Sequence, residues 1–410
     1  MVQARESLAK SLGATELLLV MVLYSAPANA FTESMIHAFQ DSDTDGYEPN
    51  AGLIYGHRTL FGTTTYGGGS GYCAGGCGTI FGIDPTTGDE TILSSFNSIF
   101  NGFWPYAGLV KVKNTLYGTT MDGGNPNEGT IFAFDLKTGA ETVLFAFSGG
   151  ADGANPSAAL VEVNGILFGT TVGGGANNAG TVFSFDPATN VEMVLHSFGG
   201  SDGSQPNAGL IEHKGMLYGT TAYGGDGASC TDPNGCGTVF GVDPASGAER
   251  VLYSFCKRKT CADGNNPTTR LLDVSGTLYG TTEYGGIGCG PGCGTVYSLN
   301  LRTGRERIAH YFSFDGTDGA YPEAGLINVG GILYGTTSNG GTNSLGTVFS
   351  LDPRTDAETV VYSFQGGDTD GARPDADLTN VSGTLYGTTW AGGGTGCNGR
   401  GCGAVFKLTP

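Results

Sequence analysis

The chain has 410 residues, of which 74 are glycine and 16 are proline, and only 14% are charged. Such a glycine content is typical of low-complexity segments, but 39% hydrophobic and 10% aromatic residues exclude a disordered chain. The formal net charge of -19 argues against a nucleic-acid partner, because phosphate binding needs a basic face.

The first 30 residues are typical of a signal peptide. Basic residues precede the apolar stretch from Leu17 to Leu23, and Ala28, Asn29 and Ala30 form the small-residue pattern of a cleavage site. After residue 30 no apolar run approaches the length of a membrane span. We therefore predict a signal peptide over 1–30 and a secreted, extracellular or periplasmic protein that does not span the membrane.

The rest of the chain is an internal repeat. The string LFGTT or LYGTT recurs seven times, and its copies begin at Leu60, Leu116, Leu167, Leu217, Leu278, Leu333 and Leu385. Each unit contains four short β-rich runs separated by turn residues. In the fourth unit the predicted strands are Ala208 to Ile211, Met216 to Thr221, Thr238 to Val242 and Glu249 to Phe255. Four strands per repeat is the pattern of a propeller blade.

The two ends of the repeat region complete one blade. The chain ends on Ala404 to Leu408, which matches a third strand, and it begins after the leader with Met35 to Phe39, which matches a fourth strand. Pairing them closes the ring and leaves no exposed sheet edge. We predict an all-β fold, a single seven-bladed β-propeller over 31–410, with the N-terminal strand closing the last blade, and we expect a monomer.

The repeat consensus combines LYGTT..GG, GTVF..DP.TG.E.VLYSF and DG..P.AGL. It resembles the GloVer tandem-repeat family of secreted bacterial proteins, and the seven copies extend over essentially the whole mature chain. The resemblance implies export and a repeat fold, and it implies little about chemistry.

The ten cysteines fall into five close pairs, which is typical of local disulfides formed in an oxidising compartment. Zinc is the alternative, but the pairs lack the usual two-residue spacing and no histidine lies beside them. The pairs are Cys73/Cys77, Cys230/Cys236, Cys256/Cys261, Cys289/Cys293 and Cys397/Cys402.

Charged residues mark the predicted mouth of the central channel. The positions that begin the innermost strands are small or polar in most units, but they include Arg270, Glu323, Asp375 and Asp377. Glu323 with Asp375 or Asp377 is a candidate glycosidase carboxylate pair. In a lyase, Arg270 would neutralise a uronate and Tyr284 would act as the base. The alternative is that these charges are solvated or pair with one another.

Aromatic residues form a second group of candidates on the long-loop face. Trp390, Tyr66 and Trp104 belong to units that become neighbours when the ring closes, and a row of flat rings suits stacking against sugars. The alternative is that the rings pack beneath the disulfide loops. The full set of predicted ligand-binding residues is Tyr66, Trp104, Tyr106, Tyr223, Tyr284 and Trp390.

Two further features carry weaker predictions. Asp41, Asp43 and Asp45 precede Gly46 as in the first half of a calcium loop, although Gly52 stands where a bidentate glutamate is expected, so Ca2+ is a candidate cofactor beside a solvated acidic turn. The basic run 257–259 between Cys256 and Cys261 could meet an anionic polymer or be a plain exposed loop.

These features predict a secreted propeller that binds a glycan or polysaccharide through its long-loop face. One alternative is a polysaccharide-degrading enzyme, either a lyase or a glycoside hydrolase, with its site at the channel mouth. Another is an extracellular scaffold for a protein partner.

Overall fold

A computed structural model describes residues 31–42, 45–69, 71–290 and 292–410, so the predicted signal peptide lies outside the described residues. The chain forms seven four-stranded antiparallel sheets, the blades of a β-propeller. Each blade is named here by its order along the chain, and its strands are numbered from the channel outwards. The blades consist of Ile54–Gly56, Thr59–Thr64, Thr79–Ile83 and Glu90–Ser95; Val110–Val112, Thr115–Thr120, Thr130–Asp135 and Ala140–Ala146; Val161–Val163, Ile166–Thr171, Thr181–Asp186 and Val191–Ser197; Ile211–His213, Met216–Thr221, Thr238–Val242 and Glu249–Ser254; Leu272–Val274, Thr277–Thr282, Thr295–Asn300 and Glu306–Tyr311; Ile327–Val329, Ile332–Thr337, Thr347–Asp352 and Ala357–Ser363; Thr379–Val381, Thr384–Thr389, Ala404–Thr409 and Thr32–Ala38.

Smaller elements lie in the loops between these strands. They are the two-stranded pairs Gly46–Tyr47 with Tyr66–Gly67, Gly319–Ala320 with Asn339–Gly340 and Gly371–Ala372 with Ala391–Gly392, a 3-10 turn at Lys259–Cys261 and one α-helical turn at Gly396–Gly399.

The predicted closure of the ring is confirmed. The strand Thr32–Ala38 pairs antiparallel with Ala404–Thr409 and forms the outer edge of blade seven. The predicted start of the first strand in blade four is wrong, because this strand begins at Ile211 rather than Ala208. Ala208 is used between blades instead, since its carbonyl accepts a hydrogen bond from the Thr170 hydroxyl of blade three.

Aromatic pairs join each blade to the next. The phenylalanine that follows each fourth strand is at most 1% exposed. It meets the third-strand aromatic ring of the next blade edge to face, with centroids 4.9–5.3 Å apart at all seven interfaces. Edge-to-face geometry suits the ring quadrupoles, so these pairs form the core between blades.

The repeated Gly-Thr-Thr step serves the same packing. A Cβ on Gly169 would lie 2.6 Å from the Phe183 ring and 2.7 Å from Leu160, so only glycine fits beneath the third-strand aromatic. The next threonine reaches the following blade: Thr63 donates to the carbonyl of Ala107 at 3.1 Å. The last threonine bonds a threonine at the start of the third strand, as Thr64 does with Thr79 at 2.7 Å. The Gly-Thr-Thr step therefore has a structural role within and between the blades.

All five predicted disulfides are present, and they link the pairs Cys73–Cys77, Cys230–Cys236, Cys256–Cys261, Cys289–Cys293 and Cys397–Cys402. Among the described residues there is no helix long and apolar enough to span a bilayer.

Candidate functional site

Two rings of side chains line a cavity of about 660 Å³ at one end of the central channel. Both rings come from the segment before each first strand, which is where the sequence placed the charged candidates. The upper ring, two residues before the lower one in each blade, is Asn50, Tyr106, Ser157, Asn207, Thr268, Glu323 and Asp375. The lower ring is Gly52, Gly108, Ala159, Gly209, Arg270, Gly325 and Asp377.

The lower ring is bridged by an ion pair across the channel. Arg270 of blade five lies 3.5 Å from Asp377 of blade seven, between Nε and Oδ2. The other oxygen of Asp377 accepts the backbone N–H of Gly325 in blade six at 2.6 Å. A Cβ on Gly325 would lie 2.9 Å from Oδ1 of Asp377 and 2.9 Å from the carbonyl of Arg270, so glycine is required there. Arg270 and Asp377 are thus a mutual pair that narrows the channel.

The upper ring holds two buried carboxyl groups from neighbouring blades. Burial raises the pKa of Asp375 well above its usual range, and the charge of Glu323 adds to the shift. Oδ1 of Asp375 is buried and has no hydrogen-bond partner among the described residues. Burial also raises the pKa of Glu323, whose carboxylate accepts a hydrogen bond from the Ser338 hydroxyl at 2.8 Å.

Tyr106 connects this acidic pair to the aromatic candidates. Burial and the charges of Asp375 and Glu323 raise the pKa of Tyr106 to about 12, and Tyr66 and Glu48 add smaller contributions. The phenol therefore stays protonated and able to donate a hydrogen bond at neutral pH. The carboxyl groups and the aromatic residues, which the sequence treated as two separate clusters, converge at one side of the mouth.

A set of strained residues lies two positions before the upper ring in every blade, and it was not predicted from the sequence. The residue before each loop proline has a positive φ between 55° and 60° in every blade, yet none of the seven is glycine. Left-handed backbone costs about 1–2 kcal/mol for a residue with a Cβ. We call this set the pre-proline ring; it consists of Glu48, Trp104, Asn155, Gln205, Asn266, Tyr321 and Arg373.

Backbone hydrogen bonds hold the pre-proline ring in place. Each carbonyl accepts the N–H of the residue that follows Gly-Thr-Thr in the same blade, at 3.0–3.3 Å. Each N–H donates to a carbonyl of the preceding blade, and in four cases this carbonyl belongs to a disulfide cysteine: Cys402 for Glu48, Cys77 for Trp104, Cys236 for Asn266 and Cys293 for Tyr321. The disulfides therefore brace the ring.

The signal for this ring was present in the sequence. The residue before the proline varies from unit to unit as Glu, Trp, Asn, Gln, Asn, Tyr and Arg, whereas the proline itself is present in every unit. A variable position with a fixed backbone is typical of a binding loop on a rigid scaffold.

Two of the predicted aromatic residues lie side by side. Tyr66 stacks on Tyr47 with centroids 5.4 Å apart, and it meets Trp104 edge to face at 6.2 Å. Trp104 is half-buried, and its indole N–H is buried with no partner among the described residues. The three rings form a continuous aromatic wall at blades one and two.

Trp390 does not continue the row of aromatic rings that the sequence predicts. It directly follows Gly-Thr-Thr, one residue earlier in register than Tyr66. The guanidinium groups of Arg373 and Arg400 lie 5.5 Å and 5.1 Å from its ring centroid. It also hydrogen-bonds the Glu48 carboxylate, whose pKa burial raises. Trp390 is therefore part of a cation–π and ionic cluster beside the aromatic wall.

The remaining aromatic candidates lie on other blades. Tyr223 is on blade four, where its backbone pairs with Ser204. Tyr284 on blade five meets Tyr321 edge to face at 5.7 Å. A hydrogen bond to Glu283, together with burial, raises the pKa of Tyr284, so it is a poor base at neutral pH.

The structure shows a different environment for part of the predicted calcium turn. Asp43 lies outside the described residues, and Asp41 lies on the exposed side of the turn. Asp45 accepts the backbone N–H groups of Gln40 and Gly46 and lies beside His37 and Glu90.

The basic run inside Cys256–Cys261 is engaged within the protein. Arg258 pairs with the buried Glu306 at 2.5 Å, and the ammonium of Lys257 lies 4.9 Å from the Tyr253 ring centroid. Because of these contacts, Arg258 and Lys257 are less available to bind an anionic polymer.

Comparisons with known proteins define the family and the fold. The Gloeobacter/Verrucomicrobia repeat family matches residues 21–232 and 228–406. A search of the curated proteins found no match. Oligogalacturonate lyase from Vibrio parahaemolyticus is 9% identical, with 93% of this chain and 94% of that chain covered and a TM-score of 0.52. A protein described as the extracellular domain of a one-component system from B. thetaiotaomicron is 9% identical with a TM-score of 0.56; the match covers 92% of this chain but 40% of that one. At such identities these structures share the propeller fold alone, and the match over nearly all the repeats means that this chain belongs to the Gloeobacter/Verrucomicrobia repeat family.

Proposed function

We propose that this protein is a secreted propeller that binds an extracellular glycan at the channel mouth. The pre-proline ring is the observation that carries the proposal. Seven left-handed positions would favour glycine, yet they hold side chains such as Trp104, Tyr321 and Arg373. Strain that persists around an open cavity is typical of a binding site, because the folded frame must stabilise it against relaxation.

The chemistry of the mouth suits sugars. Rings that are partly exposed beside hydrogen-bonding groups can stack on the apolar face of a sugar while its hydroxyls meet polar partners. The aromatic wall of Tyr47, Tyr66 and Trp104 supplies the rings. Tyr106 can donate a hydrogen bond, and the carboxyl groups of Glu323 and Asp375 can accept them.

The charge of the mouth favours a neutral glycan over an acidic one. Glu283, Glu323 and Asp375 line the cavity, while Arg270 is already paired with Asp377 and Arg373 lies against Trp390. Among the described residues that line the cavity, the cation is Arg270, which is already paired, so a uronate would meet mainly carboxyl groups there. The lyase neighbour is described as acting on oligogalacturonate, so we propose a different ligand for this chain.

The five disulfides support an oxidising location outside the cytoplasm, which agrees with the predicted signal peptide.

The test is a panel of neutral and acidic polysaccharides, with retention measured by affinity electrophoresis and affinity by calorimetry. Trp104→Ala should weaken binding about tenfold or more, because an aromatic anchor at the centre of a site carries much of its affinity. Tyr223→Ala, which removes an aromatic residue on blade four, is the matched control and should bind like the wild type.

Because Trp104 also packs on its neighbours, Arg373→Ala provides a second variant at the surface of the same ring. Circular dichroism confirms that each variant is folded. Unchanged binding in both variants, or a preference for polyuronates, would contradict the proposal.

A polysaccharide-degrading enzyme is the second candidate, favoured by the environment of Asp375 and Glu323. A carboxyl group whose pKa is raised by burial can act as a general acid, while a neighbour serves as base or nucleophile. The assay is release of reducing ends from each polysaccharide that is retained. Glu323→Gln and Asp375→Asn should abolish the release of reducing ends while the polysaccharide is still retained. If the wild type releases no reducing ends from any retained polysaccharide, the enzyme hypothesis is wrong and the binding hypothesis stands.

A further inference from the structure

The seven blade interfaces share a polar set far from the channel mouth. Each set combines a residue near the end of one blade's fourth strand, a loop residue that follows it, and a glutamate near the start of the next blade's fourth strand. We call these sets interface triads. They are His37, Asp45 and Glu90; Ser94, Asn101 and Glu141; Phe145, Asp152 and Glu192; His196, Asp202 and Glu249; Tyr253, Asp263 and Glu306; His310, Asp318 and Glu358; and Tyr362, Asp370 and Glu33.

Three triads contain histidine. In each of them one ring nitrogen and one oxygen from each carboxylate lie within 4.8 Å of one another. Nε2 of His196 is 2.9 Å from Oδ2 of Asp202, and Nε2 of His310 is 3.1 Å from Oδ2 of Asp318. Nε2 of His37 is 3.9 Å from Oε2 of Glu90. Each set thus presents three ligand atoms to one point between two blades.

The histidine triads leave buried ligand atoms without partners. Oε1 of Glu90, Glu249 and Glu358 is buried and has no hydrogen-bond partner among the described residues. The same is true of the equivalent Oε1 atoms of Glu33, Glu192 and Glu306 in triads without histidine. Nε2 of His37 is in the same condition. A buried polar atom without a partner is unfavourable. In the histidine triads, unlike the other described triads, an imidazole nitrogen lies close enough to this oxygen for one metal ion to bind both.

Three of the other triads supply hydrogen-bond donors from their own side chains. Tyr253 donates to Asp263 at 2.7 Å, and Tyr362 donates to Asp370 at 2.7 Å. Ser94 donates to Glu141 at 2.9 Å, and asparagine replaces the loop aspartate beside it. In the remaining triad Phe145 takes the place of the histidine, so it offers carboxylates alone. The chain therefore contains natural variants of one site with and without an imidazole.

We propose that the three histidine triads are binding sites for a divalent first-row transition ion such as Zn2+. Imidazole with two carboxylates is a ligand set that these ions prefer, whereas Ca2+ prefers oxygen ligands alone. Distances of about 3 Å between ligand atoms agree with adjacent positions around an ion bound at about 2.0–2.2 Å, and water can complete the shell.

The placement gives the ion a structural role. In the second histidine triad His196 belongs to blade three and Glu249 to blade four, with Asp202 on the loop between them. An ion bound there joins adjacent blades through coordinate bonds. Binding to the folded state alone raises its stability in proportion to the logarithm of the ion concentration.

The test is calorimetric titration of the purified full chain with Zn2+ alone, after chelator treatment, at pH 7.5. We expect three equivalents bound. His196→Phe reproduces the residue found at Phe145 and should reduce the stoichiometry to two, and the triple variant His37→Phe, His196→Phe and His310→Phe should bind none. Tyr253→Phe, at the same register in a triad without histidine, is the matched control and should still bind three.

Stability provides the second measurement. Zn2+ should raise the unfolding midpoint of the wild type and of Tyr253→Phe, but leave that of the triple variant unchanged. Asp202→Asn keeps a hydrogen-bond acceptor for His196 but removes a ligand charge, so it should weaken one site at least tenfold. Failure of the wild type to bind Zn2+, or unchanged stoichiometry in the triple variant, would show that the triads are hydrogen-bonded clusters only.

Discussion

Asp375 offers the sharpest test of the acidic mouth. Its Oδ1 is buried and has no partner among the described residues, and among the neighbouring charges Glu323 contributes most to its raised pKa. Replacing it with asparagine keeps the shape and removes the charge. Because burial of an unsatisfied polar group costs about 1–3 kcal/mol, more when it is charged, Asp375→Asn should stabilise the folded protein by about that amount above neutral pH.

The gain should depend on pH with a definite sign. A carboxyl group whose folded pKa is raised binds its proton more tightly in the folded state, so its contribution to stability is fully present below its unfolded pKa, near 3.8, and is lost as pH rises through the folded pKa. The variant does not titrate at this position. The difference in unfolding free energy between variant and wild type should therefore be small at pH 4 and increase towards pH 9.

Urea denaturation with the disulfides intact, followed by intrinsic fluorescence at a series of pH values, measures this difference. Asp377→Asn is the matched control: Asp377 pairs with Arg270 and accepts the Gly325 N–H, so its loss should destabilise the protein. A variant at position 375 that is less stable at every pH, or a gain that does not change with pH, would refute the conclusion that Asp375 has a raised pKa because its carboxyl group is buried without a partner.

Four further predictions concern the frame of the site. Gly169→Ala should cost about 1–3 kcal/mol in urea denaturation because its Cβ would overlap the Phe183 ring, whereas Gly71→Ala, with open space around it, should be neutral. Gln205→Gly should stabilise the protein by up to about 1 kcal/mol, since it relieves a positive φ; destabilisation would show that the pre-proline ring is unstrained. Burial and the nearby loop aspartate raise the pKa of Glu192 to about 7, so its contribution to stability should fall between pH 4.5 and 7, and Glu192→Gln should flatten the pH profile in that window. Replacing Cys73 and Cys77 with serine should weaken glycan binding even at temperatures below the unfolding midpoint of the variant, because the Cys77 carbonyl anchors Trp104. An equal loss of glycan binding after the same replacement of Cys256 and Cys261 would contradict this.

The fold was predictable because its signals are local and repeated. The recurrent Gly-Thr-Thr step and the complementary strands at the two ends determine the blade count and the closure between Thr32–Ala38 and Ala404–Thr409. The start of the first strand at Ile211 was less predictable, because Ala208 has the same apolar character but is used in packing against the neighbouring blade.

The site was predictable in position but not in its contacts. The residue spacing placed Arg270, Glu323, Asp375 and Asp377 at the mouth, where the structure has them. The pairing of Arg270 with Asp377 depends on the diameter of the channel and on the absence of a side chain at Gly325, which no spacing along the chain encodes. The interface triads were missed for the same reason, since their members belong to different repeats.

In the proposed glycan-binding role, the pre-proline ring separates recognition from folding. Its residues are held through their own backbone N–H and C=O groups, so the anchoring hydrogen bonds are the same whether the side chain is Trp104, Gln205 or Arg373. Substitutions at these seven codons change what the protein presents to a ligand while the scaffold that presents it stays the same. Under the proposed function, the repeat is thus suited to redesign of its binding specificity in the laboratory, one blade at a time.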